Sequence, residues 1–366
     1  MQITDEAGLA EVIRSANAPL RIQGGGTRGL GRAAGGALVD MSTLSGITLH
    51  EPGALTLVAK AGTPVSEIEK ALAKEGQRLA FEPYYLDAGT STIGGVMATN
   101  ASGPRRIQAG AARDFLLGVR FVDGSGDIVK NGGRVMKNVT GYDLVKLMGG
   151  SWGTLGVLTE VSLKVLPVPE TEGCLILHGL SAEQAVDAMS SALGSPFEVS
   201  GAAHLPDDQK TLLRVEGFDV QVKHRLAQLT ERLKSFGDIT TEPSADWATI
   251  RDAKTLGSDG DLWRISVKPS GGPRVAQVFP DGTKWFMDWG GGLIWARAPK
   301  GADIRACMSG IGGHATLMSA SPETHAALGT FQPEHPGVAA LTMGLRAKFD
   351  PRGIFSAQAE TSHVAG

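Results

Sequence analysis

Cysteine is nearly missing. Cys174 and Cys307 are the only two in 366 residues, far apart and without metal-like spacing, which excludes an iron–sulfur cluster held by four thiolates of this chain. They read as free buried thiols of a cytosolic protein. A surplus of one charge is missing too: 35 basic against 38 acidic residues give a net charge of −3, with no run of like charges. Neither nucleic acid nor an anionic membrane surface is called for, and a small ligand is favoured. No apolar run approaches the ~20 residues of a membrane span, so membrane contact is expected only indirectly, through a partner. The opening MQITDEAGLAEVIRSANAP reads as polar and helical rather than as a signal peptide.

Glycine, by contrast, is abundant at 50 residues. It falls in short clusters between apolar segments (Gly24 to Gly26, Gly94-Gly95, Gly132-Gly133, Gly290 to Gly292) rather than in a low-complexity repeat, which suits loops that grip a ligand. The length predicts two domains, because single cores stop growing at roughly 250 to 300 residues.

Along the chain, Asp5 to Ala16 is predicted as an amphipathic helix and Leu20 to Gln23 as a strand running into Gly24-Gly25-Gly26-Thr27-Arg28-Gly29. Gly24, Gly26 and Gly29 satisfy G-x-G-x-x-G, yet a Rossmann turn must open a helix. Here the next residues, Leu30 to Gly36, are too rich in glycine to propagate one, and a strand over Ala37 to Asp40 follows. The loop can still cradle a phosphate through consecutive backbone N–H groups, with the Thr27 hydroxyl and Arg28 guanidinium nearby; a plain hairpin loop is the alternative. Leu55 to Ala61 reads as a strand, Thr63 as the cap of a helix with Pro64 at its first position, and Leu79 to Phe81 as a strand.

Residues 89 to 166 hold most of the functional information. Thr90 to Asn100 sets hydroxyls, Gly94-Gly95 and small side chains where a large ligand could lie against bare backbone. Val119 to Asp123 and Asp127 to Lys130 read as a hairpin about Gly124-Ser125-Gly126. Thr140 to Gly150 reads as a short helix, and Gly153 to Gly156 turns the chain into a strand over Val157 to Val165, closed by Pro167 and Pro169. The order of elements is α+β, without the regular alternation of a doubly wound sheet. Beyond Pro169 the strands Cys174–His178, Glu198–His204, Leu212–Glu216 and Leu262–Val267, with helices Ala182–Leu193 and Val220–Phe236, follow β-α-β-β-α-β order, as in a ferredoxin-like split unit. A helix over Asp246 to Lys254 is inserted, and residues 271 to 320 repeat the theme in shortened form. A last helix spans Pro336 to Phe349 and ends in the turn Asp350-Pro351-Arg352-Gly353.

The phrases TIGGVMATNASG and GSWGTLGVLTEVSLKV, in that order, with the Gly24–Arg28 loop and the tail LRAKFDPRGIF, resemble the FAD-binding family of vanillyl-alcohol oxidase and p-cresol methylhydroxylase. Within it, RIQGGGTRGLG, LWRISV, DWGGGLIW and GGHATLM resemble the FAD-binding E subunits of bacterial glycolate oxidases. The resemblance implies a two-subdomain FAD-binding domain over residues 1–168, a ferredoxin-like α+β cap over 169–334, and a C-terminal helix and tail over 335–366 that return to the FAD domain. It places Gly24, Gly25, Gly26, Thr27 and Arg28 on the pyrophosphate. Gly89, Thr90, Ser91, Thr92, Ile93, Gly94, Gly95, Ala98, Thr99, Asn100 and Gly103 would run along the pyrophosphate, ribityl chain and ring, and Gly156, Val157 and Leu158 would meet the adenine end. Many relatives tether the flavin through histidine or cysteine; no histidine lies between His50 and His178 and no cysteine precedes Cys174, so a non-covalent flavin is expected. The customary N-P-G-K ending appears as Phe355-Ser356-Ala357-Gln358.

Oxidising a hydroxy acid through flavin takes a base for the hydroxyl proton and a cation for the carboxylate. The cap offers Arg264, Lys268, Arg297 and His314, of which Arg264 and His314 are the candidate catalytic residues; Arg264 on an alternating strand could equally face solvent, and His314 after Gly312-Gly313 could be a turn residue. Relatives that oxidise 2-hydroxy acids alone carry an H-x-H and a G-D-G-N motif as a metal site; here His314, His325 and His335 are single, and no metal site is expected. The resemblance therefore implies a subunit acting on a small 2-hydroxy acid with a paralogous flavoprotein subunit and an iron–sulfur subunit, glycolate becoming glyoxylate and electrons passing towards quinone. It implies a cytoplasmic place, at the inner face of the cell membrane only through partners. A stand-alone FAD oxidase of an alcohol, alditol or sugar lactone, and a non-catalytic structural subunit, are the alternatives.

Overall fold

The computed structural model describes residues 1–28, 36–86, 90–135 and 141–355. Expectations resting on Gly29 to Gly35, Gly89, Thr140 and Ser356 to Gln358 lie outside the described residues. The chain divides into two compact units: Met1–Ser102 with Ala111–Val168 and the chain from Pro333 on, and Gly103–Gly110 with Pro169–Gln332. The short excursion of residues 103 to 110 into the second unit has no signature in the sequence.

In the first unit, Asp5 caps the helix Glu6–Ser15 by accepting the Gly8 amide at 2.7 Å, and the helix buries Leu9, Ala10 and Ile13 at helical spacing. Strands β1 (Leu20–Gln23) and β2 (Ala37–Asp40) pair in parallel. The main sheet has five antiparallel strands, β3 (Ile47–Glu51), β4 (Thr56–Lys60), β6 (Leu116–Val122), β7 (Ile128–Gly132) and β8 (Val157–Lys164), in the order β3-β4-β8-β6-β7. Strand β8 lies at its centre because it is apolar enough to be covered there: Val161 and Leu163 are fully buried, as are Leu57 and Phe121 on its neighbours. Burying each such side chain contributes about 1.5–3 kcal/mol. The hairpin β6–β7 turns at residues 123 to 127 as expected.

Several local expectations are corrected. Strand β3 was not foreseen. The strand expected over Leu79–Phe81 is instead the two-residue β5 (Gln77–Arg78), paired with β9 (Leu166–Pro167). Thr63 does not cap the helix Val65–Lys74; Pro64 holds the cap position, and the Thr63 hydroxyl donates to the Lys60 carbonyl at 2.7 Å, closing the preceding turn. The segment read as a ligand loop contains a helix, Ile93–Thr99, capped by the Thr92 side chain, and the helix expected over 140–150 is confined to Leu144–Met148. The tail returns to this unit: Asp350 accepts the amides of Ile354 and Phe355 at 2.8 and 2.7 Å, and Arg352 donates to the carbonyls of Ile13 and Gly124 at 2.7 and 2.9 Å.

The second unit is an eight-stranded antiparallel sheet, order β13-β10-β12-β11-β15-β16-β14-β17. Its strands are β10 (Thr171–His178), β11 (Val199–Leu205), β12 (Lys210–Gly217), β13 (Ile239–Glu242), β14 (Asp261–Val267), β15 (Lys284–Asp288), β16 (Leu293–Ala298) and β17 (Gly313–Ser319). With the helices Ala182–Leu193, Asp219–Leu233, Gly272–Gln277 and Ile304–Cys307 between them, the unit is two complete β-α-β-β-α-β repeats joined through β11 and β15. The sequence reading took Leu262–Val267 as the fourth strand of the first repeat. The structure gives that place to β13 and makes Leu262–Val267 the opening strand of a second, full repeat. Alternation sorts the two sheet faces: Trp263, Ile265, Ala315 and Leu317 join the apolar core, leaving Arg264, Ser266, His314 and Thr316 on the other face.

Among buried polar groups, His204 is 1% exposed and its Nδ1 lies 3.0 Å from the Thr211 hydroxyl. Burial lowers its pKa from 6.5 to about 4. A histidine whose folded pKa lies below its unfolded value contributes stability that is intact above pH ~6.5 and lost as pH falls towards ~4, up to about 3 kcal/mol. Unfolding midpoints measured across that range should therefore fall with acidification, and less steeply in His204→Gln. An identical slope in the variant would show that His204 is not the group responsible.

Candidate functional site

A cleft opens in the first unit where strand β1 ends. Its cavity volume is about 160 Å³, and its walls are the loop 23–28, the first turns of the helix Ile93–Thr99, the turn 152–156 and the start of β8. The local reason is close packing of bare backbone. A Cβ on Gly25 would lie 1.5 Å from the Thr90 carbonyl oxygen, one on Gly24 2.3 Å from the Thr92 hydroxyl, and one on Gly94 2.7 Å from the Ala61 methyl. Only glycine lets the loop and the helix approach each other so closely.

Arg28 fastens the loop. Its guanidinium donates to the Ser91 hydroxyl and to the Tyr84 carbonyl, each at 2.6 Å, and stacks 5.2 Å from the Tyr84 ring centroid. The Thr90 hydroxyl donates to the Gly25 carbonyl at 3.1 Å. On the far wall Trp152, in the left-handed region at φ 56°, donates its amide to the Ala98 carbonyl at 2.8 Å. Among the described residues the lining contains Arg21 and Arg28, the Thr27, Thr92 and Thr99 side chains and a run of glycines, but no carboxylate. The buried Nε of Arg21 has no hydrogen-bond partner among the described residues. Two cations, hydroxyl donors and exposed main chain, with a buried donor still to be satisfied, fit a diphosphate-bearing cofactor.

Of the residues singled out from sequence, Gly24, Gly25, Gly26, Thr27, Arg28, Thr92, Gly94, Gly95, Ala98, Thr99, Gly156, Val157 and Leu158 line this cleft. Others stand behind it or elsewhere. Ser91 is buried and receives Arg28, Thr90 supports the loop from outside the lining, and Ile93 is wholly in the core. Asn100 ends its helix in the left-handed conformation and accepts the Arg113 amide. Gly103 belongs to the second unit, where its carbonyl accepts the Trp289 indole N–H at 3.0 Å. Sequence reasoning missed Arg21, Ile22, Gln23, Met41, Ala61, Trp152 and Gly153 in the lining. Trp152 and Gly153 sit inside the GSWGTLG phrase and were within reach; Arg21 looked like an ordinary strand residue.

The two catalytic candidates lie in the second unit. Arg264 on β14 pairs with Thr316 on β17, and Ser266 with His314, so Arg264 and His314 are diagonal neighbours on one sheet face. The His314 ring keeps an exposed surface, yet local burial, followed by the charges of Arg264 and Arg106, holds its pKa below the usual histidine value. Among the described residues no group of His, Cys, Asp and Glu side chains could hold a metal ion, and no helix is long and apolar enough to cross a membrane.

Residues 1–132 match the model of an FAD binding domain. The whole chain superposes on alkyldihydroxyacetonephosphate synthase with a TM-score of 0.71 at 17% identity, covering 97% of this chain and 76% of that one. The fold is that of the vanillyl-alcohol oxidase type, and the protein is an FAD-dependent oxidoreductase. Glycolate oxidase subunit GlcE of Escherichia coli (strain K12) is 35% identical over 342 residues, 92% of this chain and 91% of that protein. Glycolate oxidase subunit GlcD of Bacillus subtilis (strain 168) is 31% identical over 219 residues, 59% of this chain and 46% of that protein. The chain belongs to the family of glycolate oxidase subunit GlcE.

Proposed function

We propose that this chain is the FAD-binding E-type subunit of a glycolate oxidase, working with a paralogous flavoprotein subunit and an iron–sulfur subunit to convert glycolate to glyoxylate. The observation that carries the reading is the match to GlcE along nearly the full length of both chains, which includes the second unit where substrate specificity would reside. Bound FAD would supply the acceptor for the hydride leaving the hydroxyl-bearing carbon. The chain's own part is to hold and orient that group: Arg21 and Arg28 beside the diphosphate, the glycine main chain of residues 24 to 26 along it, and the Val157–Leu158 backbone at the adenine end. Among the described residues no histidine or cysteine lines the cleft, which supports a non-covalent flavin, released when the protein is denatured. Membrane association would come through the partners.

The test is purification of the tagged chain from its source, with identification of the bound subunits, the visible spectrum, and bleaching by glycolate. Copurifying flavoprotein and iron–sulfur subunits, with glycolate reducing the complex, is the expected result. A chain that purifies alone and whose flavin is bleached by an alditol or lactone instead of glycolate would overturn the reading.

A further inference from the structure

The tail of the chain is fastened to the first unit by one side chain. Past the helix Pro336–Phe349 the chain turns back, with Gly353 at φ 67°. The Arg352 guanidinium donates to main-chain carbonyls of two other segments: Ile13, Arg14 and Ala16 at 2.7, 3.0 and 3.3 Å, and Gly124 at 2.9 and 3.2 Å. The first three lie at the end of the helix Glu6–Ser15, where carbonyls lack partners within a helix and a cation is favoured. Gly124 opens the β6–β7 turn, and its amide donates to the Phe349 carbonyl at 2.7 Å. A Cβ on Gly124 would lie 2.6 Å from the Asp350 Cα, so turn and tail meet over bare backbone.

The contacts of the tail lead to residues that line the cleft. The Ile354 carbonyl accepts the Leu20 amide at 2.8 Å, at the start of β1, and the next three residues of that strand, Arg21, Ile22 and Gln23, are in the lining. Strand β1 belongs to a sheet of only two strands, paired in parallel, which gives it little rigidity of its own. Ile354 and Phe355, 3% and 1% exposed, share one buried apolar cluster with Ile13, Leu20 and Val157, and Val157 is itself in the lining. A second route runs through aromatic rings. Phe349 lies 6.2 Å from Phe121, and Phe121 is the side chain that a Cβ on Gly156, another lining residue, would strike at 2.8 Å. Close-packed contacts transmit a displacement instead of absorbing it.

We propose that Arg352 is a positioning residue for the cofactor cleft. By tying the tail to the end of the first helix and to the β6–β7 turn, it fixes Ile354 and Phe355 against β1 and the start of β8, in the arrangement that residues 21 to 23 and 156 to 158 need to receive FAD. Arg352 is not among the described lining residues, so its effect on FAD is carried by the tail and β1. Asp350 completes the clasp from within the tail, because its carboxylate accepts the Ile354 and Phe355 amides and shapes the turn. The proposal rests on the placement of FAD in this cleft and not on the choice of substrate.

The experiment titrates the full chain, freed of FAD, with FAD by flavin fluorescence, well below the melting transition that each variant shows without cofactor. Arg352→Gln is expected to bind FAD about tenfold more weakly or worse, the range of a coupling between separate sites. Arg352→Lys should fall between it and the parent, since an ammonium reaches fewer of the carbonyls than a planar fork. A tie that only stabilises the fold would lower the melting temperature of Arg352→Gln and leave its dissociation constant for FAD unchanged; that result overturns the proposal. Should Arg352→Gln fail to fold, hydrogen exchange of the parent protein decides. Coupling is reciprocal, so saturating FAD is expected to slow the Leu20, Ile354 and Phe355 amides by a larger factor than the paired amides of the edge strand β3. An equal or smaller factor would refute the clasp. Gly25→Ala, which alters the cleft directly, separates the two ideas. Loss of FAD there with parent affinity in Arg352→Gln keeps the cleft and removes the clasp, while parent affinity in both variants removes both.

Discussion

Gly25→Ala is expected to abolish FAD retention. The new methyl group would sit 1.5 Å from the Thr90 carbonyl oxygen and 2.5 Å from its carbon, where ordinary contacts between carbon atoms lie at about 3.5–4.0 Å. Both obstructing atoms are main chain, so no side-chain rotation relieves the overlap, and the loop must lift away from the segment it packs on. The Thr90 hydroxyl contact to the Gly25 carbonyl goes with it. The dissociation constant for FAD should rise at least ~100-fold, about 2.7 kcal/mol, read from flavin fluorescence titration and from the flavin-to-protein absorbance ratio after gel filtration. Gly53→Ala, at a position where a Cβ meets nothing within 4 Å, serves as the neutral control. Full flavin content in Gly25→Ala would mean that the loop does not form the wall of the cofactor cleft.

The second large effect is expected at Arg28. Truncation to alanine removes the charge-assisted hydrogen bonds to the Ser91 hydroxyl and the Tyr84 carbonyl and a stacked cation, and leaves both acceptors without that donor. Charge-assisted bonds of this kind contribute about 1.5–3 kcal/mol each, so a combined loss of about 2–4 kcal/mol is expected in urea unfolding of the FAD-bound protein, together with weaker FAD binding. Arg28→Lys should recover less than half, because an ammonium cannot reach both acceptors with a planar fork. A lysine variant that matches the parent protein in both measurements would show that charge alone, and not the fork, matters at this position.

Much of this was legible in the sequence, and the exceptions have physical causes. The Gly24–Arg28 loop could be read because its G-x-G-x-x-G run is followed by residues too rich in glycine to favour the helix a Rossmann turn requires. The Thr90–Asn100 segment was read as loop because two adjacent glycines depress helix propensity. It is helical because Thr92 caps it and because Gly94 lets it lie against Ala61. Strand β13 was overlooked because it is an edge strand with three exposed residues and no apolar alternation; its omission moved Leu262–Val267 into the wrong repeat. Thr63 looked like a helix cap, but its hydroxyl found a carbonyl acceptor in the preceding turn first.

The type of ligand was legible in the sequence: bare glycine turns next to hydroxyls and an arginine are a local property, and so is the balanced charge, which gives no reason to expect a polyanionic partner. The family phrases, being contiguous, needed no folding to be read. Which arginines converge was decided only in three dimensions. Arg106 lies 158 residues before Arg264 in the chain, and they share the Trp289 ring only because residues 103 to 110 leave the first unit and are pinned to the second through Glu216. No periodicity or spacing encodes such a meeting, since it depends on the register of strands far apart in sequence.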